Sequence, residues 1–151
     1  MIVCIAGKNN IAVEILIYLV QIGIKKENIY IISNKTDDGK DNWQRSLLKK
    51  ANKMGIKIRN LEDVYSIENL LFLSLEFDKI VNPNKFKSNK LFNIHFSLLP
   101  KYKGMFTSIM PILNNEMLSH HFVLTLHLKE NVSLAHNYFE IHRQKNIMSL
   151  Y

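Results

Sequence analysis

Short apolar runs, separated by polar stretches that contain turn-forming residues, recur along the first 95 positions of the chain. The run at residues 1–6 has no polar alternation, which is typical of a strand buried on both faces of a parallel sheet. Comparable runs at 28–33, 56–60, 70–77 and 91–95 predict four further strands.

Apolar residues between the first two runs recur at the spacing of a helix packed on a sheet. This helix is predicted to have Asn10 as its N-cap and Gly23 as its C-terminal stop. A second helix is predicted from about residue 42 to residue 54. Strands and helices that alternate in this way predict an α/β domain with a mainly parallel sheet.

The pattern is less regular after Pro100. Residues 107–115 have helical character, although Pro111 lies inside the segment. The alternating segment 121–128 predicts a strand, and residues 137–141 predict one more. The 151 residues fit a single domain that is long enough to bury one core.

Lysine and arginine outnumber aspartate and glutamate by 20 to 13, which gives the chain a net charge of +7. This balance favours polyanions such as phosphates, nucleotides, RNA or anionic lipid, although a lysine-rich surface can also serve solubility alone. The 47% content of apolar residues is ordinary for a folded protein. A local concentration of lysines flanks the fifth apolar run, and it consists of Lys85, Lys87, Lys90, Lys101 and Lys103.

Cysteine content and hydropathy bear on the compartment. The single cysteine, Cys4, excludes an internal disulfide and is interpreted as a small buried residue in a reducing compartment. The apolar run at the N-terminus is too short for a signal-peptide core, and no apolar run reaches membrane-spanning length. The sequence therefore predicts a cytoplasmic protein.

Polar residues follow three of the predicted strands. The first strand leads into AGKNNIAV (6–13), where exposed amides at a helix start suit an anion or a sugar hydroxyl, or form no more than a capped turn. The fourth strand closes with SLEFDKI (74–80), and the fifth closes with NIH (93–95). Because ligands of open α/β sheets bind at the carboxyl ends of strands, these three segments predict one shared crevice.

Asn93 and His95 are the best candidates for chemistry in this crevice. A histidine alone is more often structural than catalytic. Side chains two residues apart on a strand face the same way, so an amide donor and a titratable imidazole would converge on one point. This pairing suits acyl transfer, because the amide can stabilise an oxyanion while the imidazole moves a proton.

The segment that begins at Phe92 reads FNIHFSLLPKYKGMFTSIMPILNNE and closely resembles the catalytic segment of the folate-dependent formyltransferases. In that family an Asn-x-His pair is followed by Ser-Leu-Leu-Pro, an aromatic residue, a basic residue and glycine. The matching residues here are Asn93, His95, Ser97, Leu98, Leu99, Pro100, Tyr102, Lys103 and Gly104. The N-terminal CIAGKNNIAVEIL resembles the branch that formylates amino groups on nucleotide-linked dideoxysugars, and LTLH (124–127) resembles the strand that follows.

The resemblance implies a Rossmann-like, doubly wound fold and formyl transfer from N10-formyltetrahydrofolate to the amino group of a dTDP-linked amino-dideoxysugar. Asn93 and His95 would stabilise the tetrahedral intermediate, and no metal is implied. The residues implied to hold the pterin are Leu75, Glu76, Phe77 and Asp78. Those implied to face the sugar nucleotide are Lys8, Asn9, Asn10, Lys101, Tyr102, Lys103, Gly104, Met105 and Phe106. The implied partners are these two small molecules, with neither nucleic acid nor a membrane.

The chain departs from the family in the loop that carries the third catalytic residue, an aspartate in the form Asp-x-Gly. The loop here reads LKENVSLAHNYFE (128–140), which places Ser133 at the aspartate and Ala135 at the glycine. Counting without a gap places Leu134 at the aspartate instead. Val123 also stands where the family has a glycine before its TLH strand.

A buried carboxylate orients the catalytic imidazole, and its loss in a comparable triad costs about 10⁴-fold in rate. Residues 1–151 are therefore expected to form a formyltransferase catalytic domain that is C-terminally truncated and impaired or inactive. Glu130 or Glu140 would restore the carboxylate only from another loop conformation.

Two alternatives stay open. Formylation of methionyl-tRNA would use the positive charge, but residues 105–108 read MFTS where that branch has Ala-Ala-Pro. The 151 residues are also expected to lack the RNA-contacting C-terminal domain of that branch. The other alternative is a non-catalytic module that keeps the nucleotide-sugar or folate crevice. The departures at Val123 and at residues 133–135 keep this second alternative open.

Overall fold

The structure, a computed structural model, describes four parts of the chain. They are residues 1–95, residue 114, residues 123–127 and residues 132–133. The helix predicted at 107–115 lies outside them except for Asn114, which is in a turn, and the strand predicted at 137–141 lies outside them entirely.

Two α-helices and seven strands lie within the described residues. In chain order they are β1 (Ile2–Gly7), α1 (Asn9–Gln21), β2 (Ile29–Ser33), α2 (Leu47–Met54), β3 (Lys57–Ile58), β4 (Leu70–Leu75), β5 (Lys90–His95), β6 (Val123–His127) and β7 (Val132–Ser133). Short 3-10 turns lie at Lys26–Asn28, Glu62–Val64 and Pro83–Lys85.

All seven strands form one sheet in the order β3-β2-β1-β4-β5-β6-β7. The strands from β3 to β5 are parallel, whereas β6 pairs antiparallel with β5, and β7 pairs antiparallel with β6. The chain builds outward from β1 to β3 and then in the opposite direction from β4, so the strand order reverses between β1 and β4. The predicted α/β, Rossmann-like and mainly parallel fold is confirmed.

Alternate residues of β1 enter two separate cores, one on each face of the sheet. Val3 and Ile5 pack with the buried residues of α1 and α2. Cys4 and Ala6 pack on the other face with a cluster that includes Phe72. A strand with apolar neighbours on both faces has no polar position to alternate, which explains the continuous apolar run in the sequence.

Helix α1 begins two residues earlier than predicted, and Lys8 stands at its N-cap, so the prediction of Asn10 as the cap is wrong. The Asn10 side-chain oxygen instead accepts hydrogen bonds from the backbone N–H and the Nε of Arg45. The predicted stop is confirmed, because Gly23 follows the helix end with a φ of +87°.

Helix α2 begins at Leu47, later than the predicted start near residue 42. Ser46 fixes this start, because its Oγ accepts a hydrogen bond from the Lys49 N–H at 2.9 Å. Strand β4 likewise ends at Leu75 rather than at residue 77, because Glu76 adopts a left-handed φ of +53° that no strand can continue. Strand β7 was not predicted.

Cys4 is fully buried in the strand that opens the chain, as predicted. Burial in apolar surroundings raises the pKa of its thiol well above the ordinary value, so the thiol stays protonated. Among the described residues no helix has the length and apolar character needed to cross a membrane.

Candidate functional site at the switch point of the sheet

The carboxyl ends of four parallel strands meet at one edge of the sheet. The register pairs Gly7 of β1 with Ser33 of β2 on one side and with Leu75 of β4 on the other. Leu75 is paired in turn with Ile94 of β5. The three polar segments predicted to share a crevice therefore do leave the sheet at the same edge, around the point where strand order reverses. Ligands of open α/β sheets bind at this position.

Gly7 lets β1 and β4 approach each other closely at this edge. A Cβ on Gly7 would lie 1.9 Å from the carbonyl oxygen of Leu75, which is far inside contact distance. The φ of Gly7 is +153°, a value that residues with side chains rarely adopt. The close approach lets the Lys8 N–H reach the same Leu75 oxygen at 3.4 Å.

A side-chain hydrogen bond joins the start of α1, directly after β1, to the loop that follows β4. The Asn9 Nδ2 donates to the Glu76 Oε2 at 2.5 Å, across the point where the strand order reverses. Both residues have left-handed backbone conformations, with φ of +69° for Asn9 and +53° for Glu76. Non-glycine residues hold such conformations at a cost and often at functional sites, so this contact supports a built site at the reversal.

Asn34, directly after β2, fixes the loop that follows β4. Its side chain is 3% exposed, and its amide donates to the Glu76 carbonyl oxygen at 2.8 Å. Its side-chain oxygen accepts from the Asp78 N–H at 3.3 Å. The Asp78 carboxylate in turn accepts from the Lys35 N–H at 2.8 Å. These bonds hold residues 76–78 in one position at the edge of the sheet.

The four residues predicted to hold a pterin divide into two kinds. Glu76 and Asp78 are exposed at the sheet edge. Leu75 is fully buried in the core with α1, and Phe77 packs against the core on the opposite face of the sheet. Leu75 can therefore contact a ligand only through its backbone, whereas Glu76 and Asp78 can also do so through their side chains.

The predicted catalytic residues lie on β5 and β7. Asn93 is half-buried and pairs with Ser74 of β4 and Thr125 of β6. His95 is the last residue of β5. Ser133 belongs to a different row of the sheet, because it pairs with Leu126, which pairs with Phe92 rather than with Asn93.

Ser133 is two strands away from β5, which corresponds to roughly 10 Å between backbones at the usual strand spacing. The structure thus joins Asn93 and the loops after β1 and β4 at one edge, and it does not place Ser133 beside Asn93. The role of Ser133 stays a prediction. The substrate residues predicted at 101–106 lie outside the described residues.

A cleft of about 140 Å³ lies between the start of α1 and the loop before α2. The residues that line it are Lys8, Asn9, Thr36, Asp37, Asp38, Lys40, Asn42, Trp43, Gln44, Arg45 and Ser46. Lys8 and Asn9 were predicted to face a sugar nucleotide, and both contribute to this cleft. The Lys8 ammonium donates to the Thr36 Oγ1 at 3.1 Å, which links the loops after β1 and β2.

Sequence reasoning missed Asn34 and the whole loop from residue 36 to residue 46. A signal for Asn34 was present, because it is a polar residue directly after a buried strand, the same pattern that identified Glu76 and His95. The loop does not follow a buried strand end with a single polar residue in this way, and its residues 42–46 were predicted to be part of helix α2.

We expect Asn93→Ala to change the free energy of unfolding by less than about 1 kcal/mol, because Asn93 is half-buried at a strand end. Leu91→Ala is the matched control on the same strand. Leu91 is 2% exposed, so its truncation should cost about 2–5 kcal/mol. Urea unfolding of both variants measures the difference. Equal losses would show that Asn93 is a structural residue.

The chain resembles solved structures of formyltransferases. It is 50% identical to WlaRD, a sugar 3N-formyl transferase, over 89% of this chain and 47% of that one, with a TM-score of 0.80. It is 50% identical to the N-formyltransferase from Helicobacter canadensis, over 89% of this chain and 49% of that one, with a TM-score of 0.79. No protein-family model matches the chain, and no curated protein matches it significantly.

A more distant structure shares the fold alone. The phosphoribosylglycinamide formyltransferase from Bacillus halodurans is 14% identical, with a TM-score of 0.60 over 95% of this chain and 82% of that one. The Rossmann-like fold, together with 50% identity to two N-formyltransferases, defines a protein of the formyltransferase class. The chain belongs to the folate-dependent formyltransferase family, and it spans about half the length of the two sugar N-formyltransferases.

Proposed function

We propose that the chain belongs to a sugar N-formyltransferase that takes a formyl group from N10-formyltetrahydrofolate and transfers it to the amino group of a dTDP-linked amino-dideoxysugar. The observation that carries this proposal is the pair Asn93 and His95 at the carboxyl end of β5. The chain that holds this pair is 50% identical in sequence to two N-formyltransferases. A cytoplasmic location belongs to the same proposal.

The ligands of the two relatives support the choice of substrates. The WlaRD structure was obtained in the presence of dTDP and 5-N-formyl-THF. The structure of the Helicobacter canadensis N-formyltransferase contains folinic acid and dTDP-3-aminofucose. In this chain the loop 76–78, held by Asn34, offers a fixed set of backbone groups and two exposed carboxylates for a polar heterocycle such as a pterin.

The bound folate would supply an activated formyl group. The sugar amine attacks the formyl carbon, and the side-chain amide of Asn93 donates a hydrogen bond to the oxygen that becomes negative. The bond from that carbon to N10 of the folate then breaks, N10 takes up a proton in place of the one that the amine loses, and tetrahydrofolate leaves. In this proposal His95, the last residue of β5, donates a hydrogen bond to the same oxygen or accepts the proton that the amine loses. The first turn of α1, from its N-cap Lys8 to Asn10, positions the nucleotide end of the sugar substrate.

The proposed enzyme is slow or silent as it stands. No carboxylate occupies the position of the family aspartate in either placement of the loop, since the residue there is Ser133 or Leu134. Serine can orient an imidazole through a hydrogen bond but does not supply the negative charge that stabilises an imidazolium. The same observation favours the second candidate function, a module that binds both ligands without catalysing transfer.

We expect binding to survive better than catalysis. Calorimetric titration with dTDP and with folinic acid should each give a measurable dissociation constant, because the loops after β1 and β4 are held in place by Asn9, Asn34 and Glu76. Formyl transfer from N10-formyltetrahydrofolate to dTDP-3-aminofucose should be slow. Asn93→Ala is the control, since it should remove any remaining turnover and leave dTDP affinity unchanged.

Three results separate the candidates. Turnover that Asn93→Ala removes supports the enzyme. Binding of both ligands with no turnover above background supports the binding module. Failure of both ligands to bind at millimolar concentration contradicts the proposal.

A further inference from the structure

Trp43 is an exposed aromatic side chain at the edge of the cleft. It is 87% exposed, and it lines the cleft together with Lys8 and Arg45. Aromatic side chains normally bury much of their large surface, so an indole in water is an unusual feature. It is also the single tryptophan of the chain.

The residues that follow Trp43 are tied to helix α1. Gln44 accepts a hydrogen bond on its Oε1 from the Asn10 N–H at 3.1 Å. The Arg45 backbone N–H and Nε both donate to the Asn10 Oδ1, at 3.0 and 3.1 Å, and its guanidinium forms an ion pair with Glu14. Trp43 is therefore presented from a fixed segment rather than from a loosely attached one.

The other side of the loop is tied to helix α2. The Asp41 carboxylate accepts from the Ser46 N–H at 2.9 Å and from the Lys49 ammonium at 2.7 Å. The hydrogen bond from Lys49 lowers the pKa of Asp41, so this carboxylate stays ionised at neutral pH. The Asp37 carboxylate accepts from the Ser46 Oγ and the Leu48 N–H. Both ends of the segment 41–46 are thus fixed.

The cleft beside Trp43 combines positive charge with this aromatic surface. Its cationic groups are Lys8, Lys40 and Arg45, and its carboxylates are Asp37 and Asp38. The Asp37 oxygens accept hydrogen bonds from the protein, and one Asp38 oxygen accepts from the Lys40 N–H. Because the Arg45 guanidinium is paired with Glu14, the ammonium groups of Lys8 and Lys40 are the cations best placed to meet an anionic ligand. At about 140 Å³ the cleft is smaller than the ~300 Å³ of the smallest drug-sized ligand sites, so it can take only one part of a nucleotide sugar.

We propose that Trp43 stacks on the pyrimidine base of a nucleoside diphosphate whose diphosphate group lies toward Lys8 and Lys40. A flat ring and an anion joined by a sugar match the flat indole and the cations of the cleft. The inference rests on the proposed function and adds to it the residue that recognises the base. A second protein chain covering Trp43 would be the rival occupant.

The single tryptophan makes a direct measurement possible in the wild-type full chain. dTDP should change the intrinsic fluorescence of Trp43 and protect it from quenching by acrylamide, because the base would cover the indole. Inorganic pyrophosphate should bind more weakly and give little protection, since it has no base. Protection that depends on protein concentration without dTDP would show that a second chain covers Trp43, and it would overturn the proposal.

Variants test the same contact by calorimetry with dTDP. Trp43→Ala should weaken dTDP binding by about 5- to 150-fold, the range expected for loss of one base–aromatic stack. Trp43→Phe should lose less, because it keeps an aromatic face. Tyr18→Ala is the matched control, since Tyr18 is an aromatic residue that is 59% exposed on α1 and does not line the cleft. It should leave dTDP affinity unchanged.

The outcomes distinguish this inference from the proposed function. If dTDP binds to the wild type but Trp43 stays open to acrylamide and Trp43→Ala binds equally well, only the stacking inference is overturned. If dTDP does not bind to the wild type at millimolar concentration, the inference and the proposed nucleotide substrate are both overturned. Urea unfolding of Trp43→Ala should match the wild type, because the side chain packs on little.

Discussion

Replacing Gly7 by alanine is expected to lower the free energy of unfolding by about 3 kcal/mol or more, which is enough to prevent folding of a marginally stable domain. The added Cβ would lie 1.9 Å from the Leu75 carbonyl oxygen, and the atom that it meets is backbone. Relief of this clash requires β1 and β4 to separate at the edge where the candidate site lies. The measurement is the urea unfolding midpoint or, if no folded protein is recovered, the soluble yield.

Gly23→Ala is the matched control for this prediction. Gly23 also has a positive φ, of +87°, but a Cβ there would meet nothing within 4 Å. Gly23→Ala should therefore lower the free energy of unfolding by only about 1–2 kcal/mol, which is the cost of a left-handed backbone at alanine. Equal losses in the two variants would show that backbone conformation, and not the approach of the two strands, is what requires glycine at position 7.

Asn34→Ala is expected to lower the free energy of unfolding by about 2–3 kcal/mol. Asn34 is only 3% exposed. The substitution removes the hydrogen-bond partner of two backbone groups, the Glu76 carbonyl oxygen and the Asp78 N–H. The loop 76–78 would lose its anchor, so folinic acid affinity should fall by about 5-fold or more. Urea unfolding and calorimetric titration measure the two effects.

Asn34→Asp adds a pH-dependent version of the same test. A protonated carboxyl at this position can donate to the Glu76 carbonyl oxygen as the amide does, but the ionised form cannot. That oxygen and the carboxylates of Glu76 and Asp78 should raise the pKa of the introduced carboxyl in the folded variant above its unfolded value of about 3.9. Its stabilising contribution is then present below about pH 4 and is lost as pH rises through the folded pKa.

Asn89→Ala provides the control for both Asn34 variants, because Asn89 is exposed on the loop before β5 and should change stability by less than about 0.5 kcal/mol. If Asn34→Ala is as stable as Asn89→Ala, then Asn34 does not anchor the loop. If the stability gap between Asn34→Asp and the wild type does not widen with pH, then the donor to Glu76 is not what stabilises the site.

The bounds of the elements show how far local pattern reasoning reached. The parallel strands were predictable because a strand buried on both faces has a continuous run of apolar residues in its sequence, as β1 does. The start of α2 was not predictable from local pattern, because it depends on two hydrogen bonds. The Lys49 N–H donates to the Ser46 Oγ, and the Ser46 Oγ donates to the Asp37 carboxylate. The cap of α1 was misassigned because Asn10, a good capping residue by type, is engaged by Arg45 instead.

The sequence by itself determined the α/β fold, the family and the Asn-x-His pair at the end of β5, because each is encoded in contiguous residues. The tertiary structure alone decided how the site is assembled. Asn9 meets Glu76 across 67 positions, Asn34 meets Glu76 across 42, and Asn10 meets Arg45 across 35. These contacts depend on strand order, register and the close approach of β1 to β4 at Gly7, and local periodicity carries no information about which distant loops such a crossover brings together.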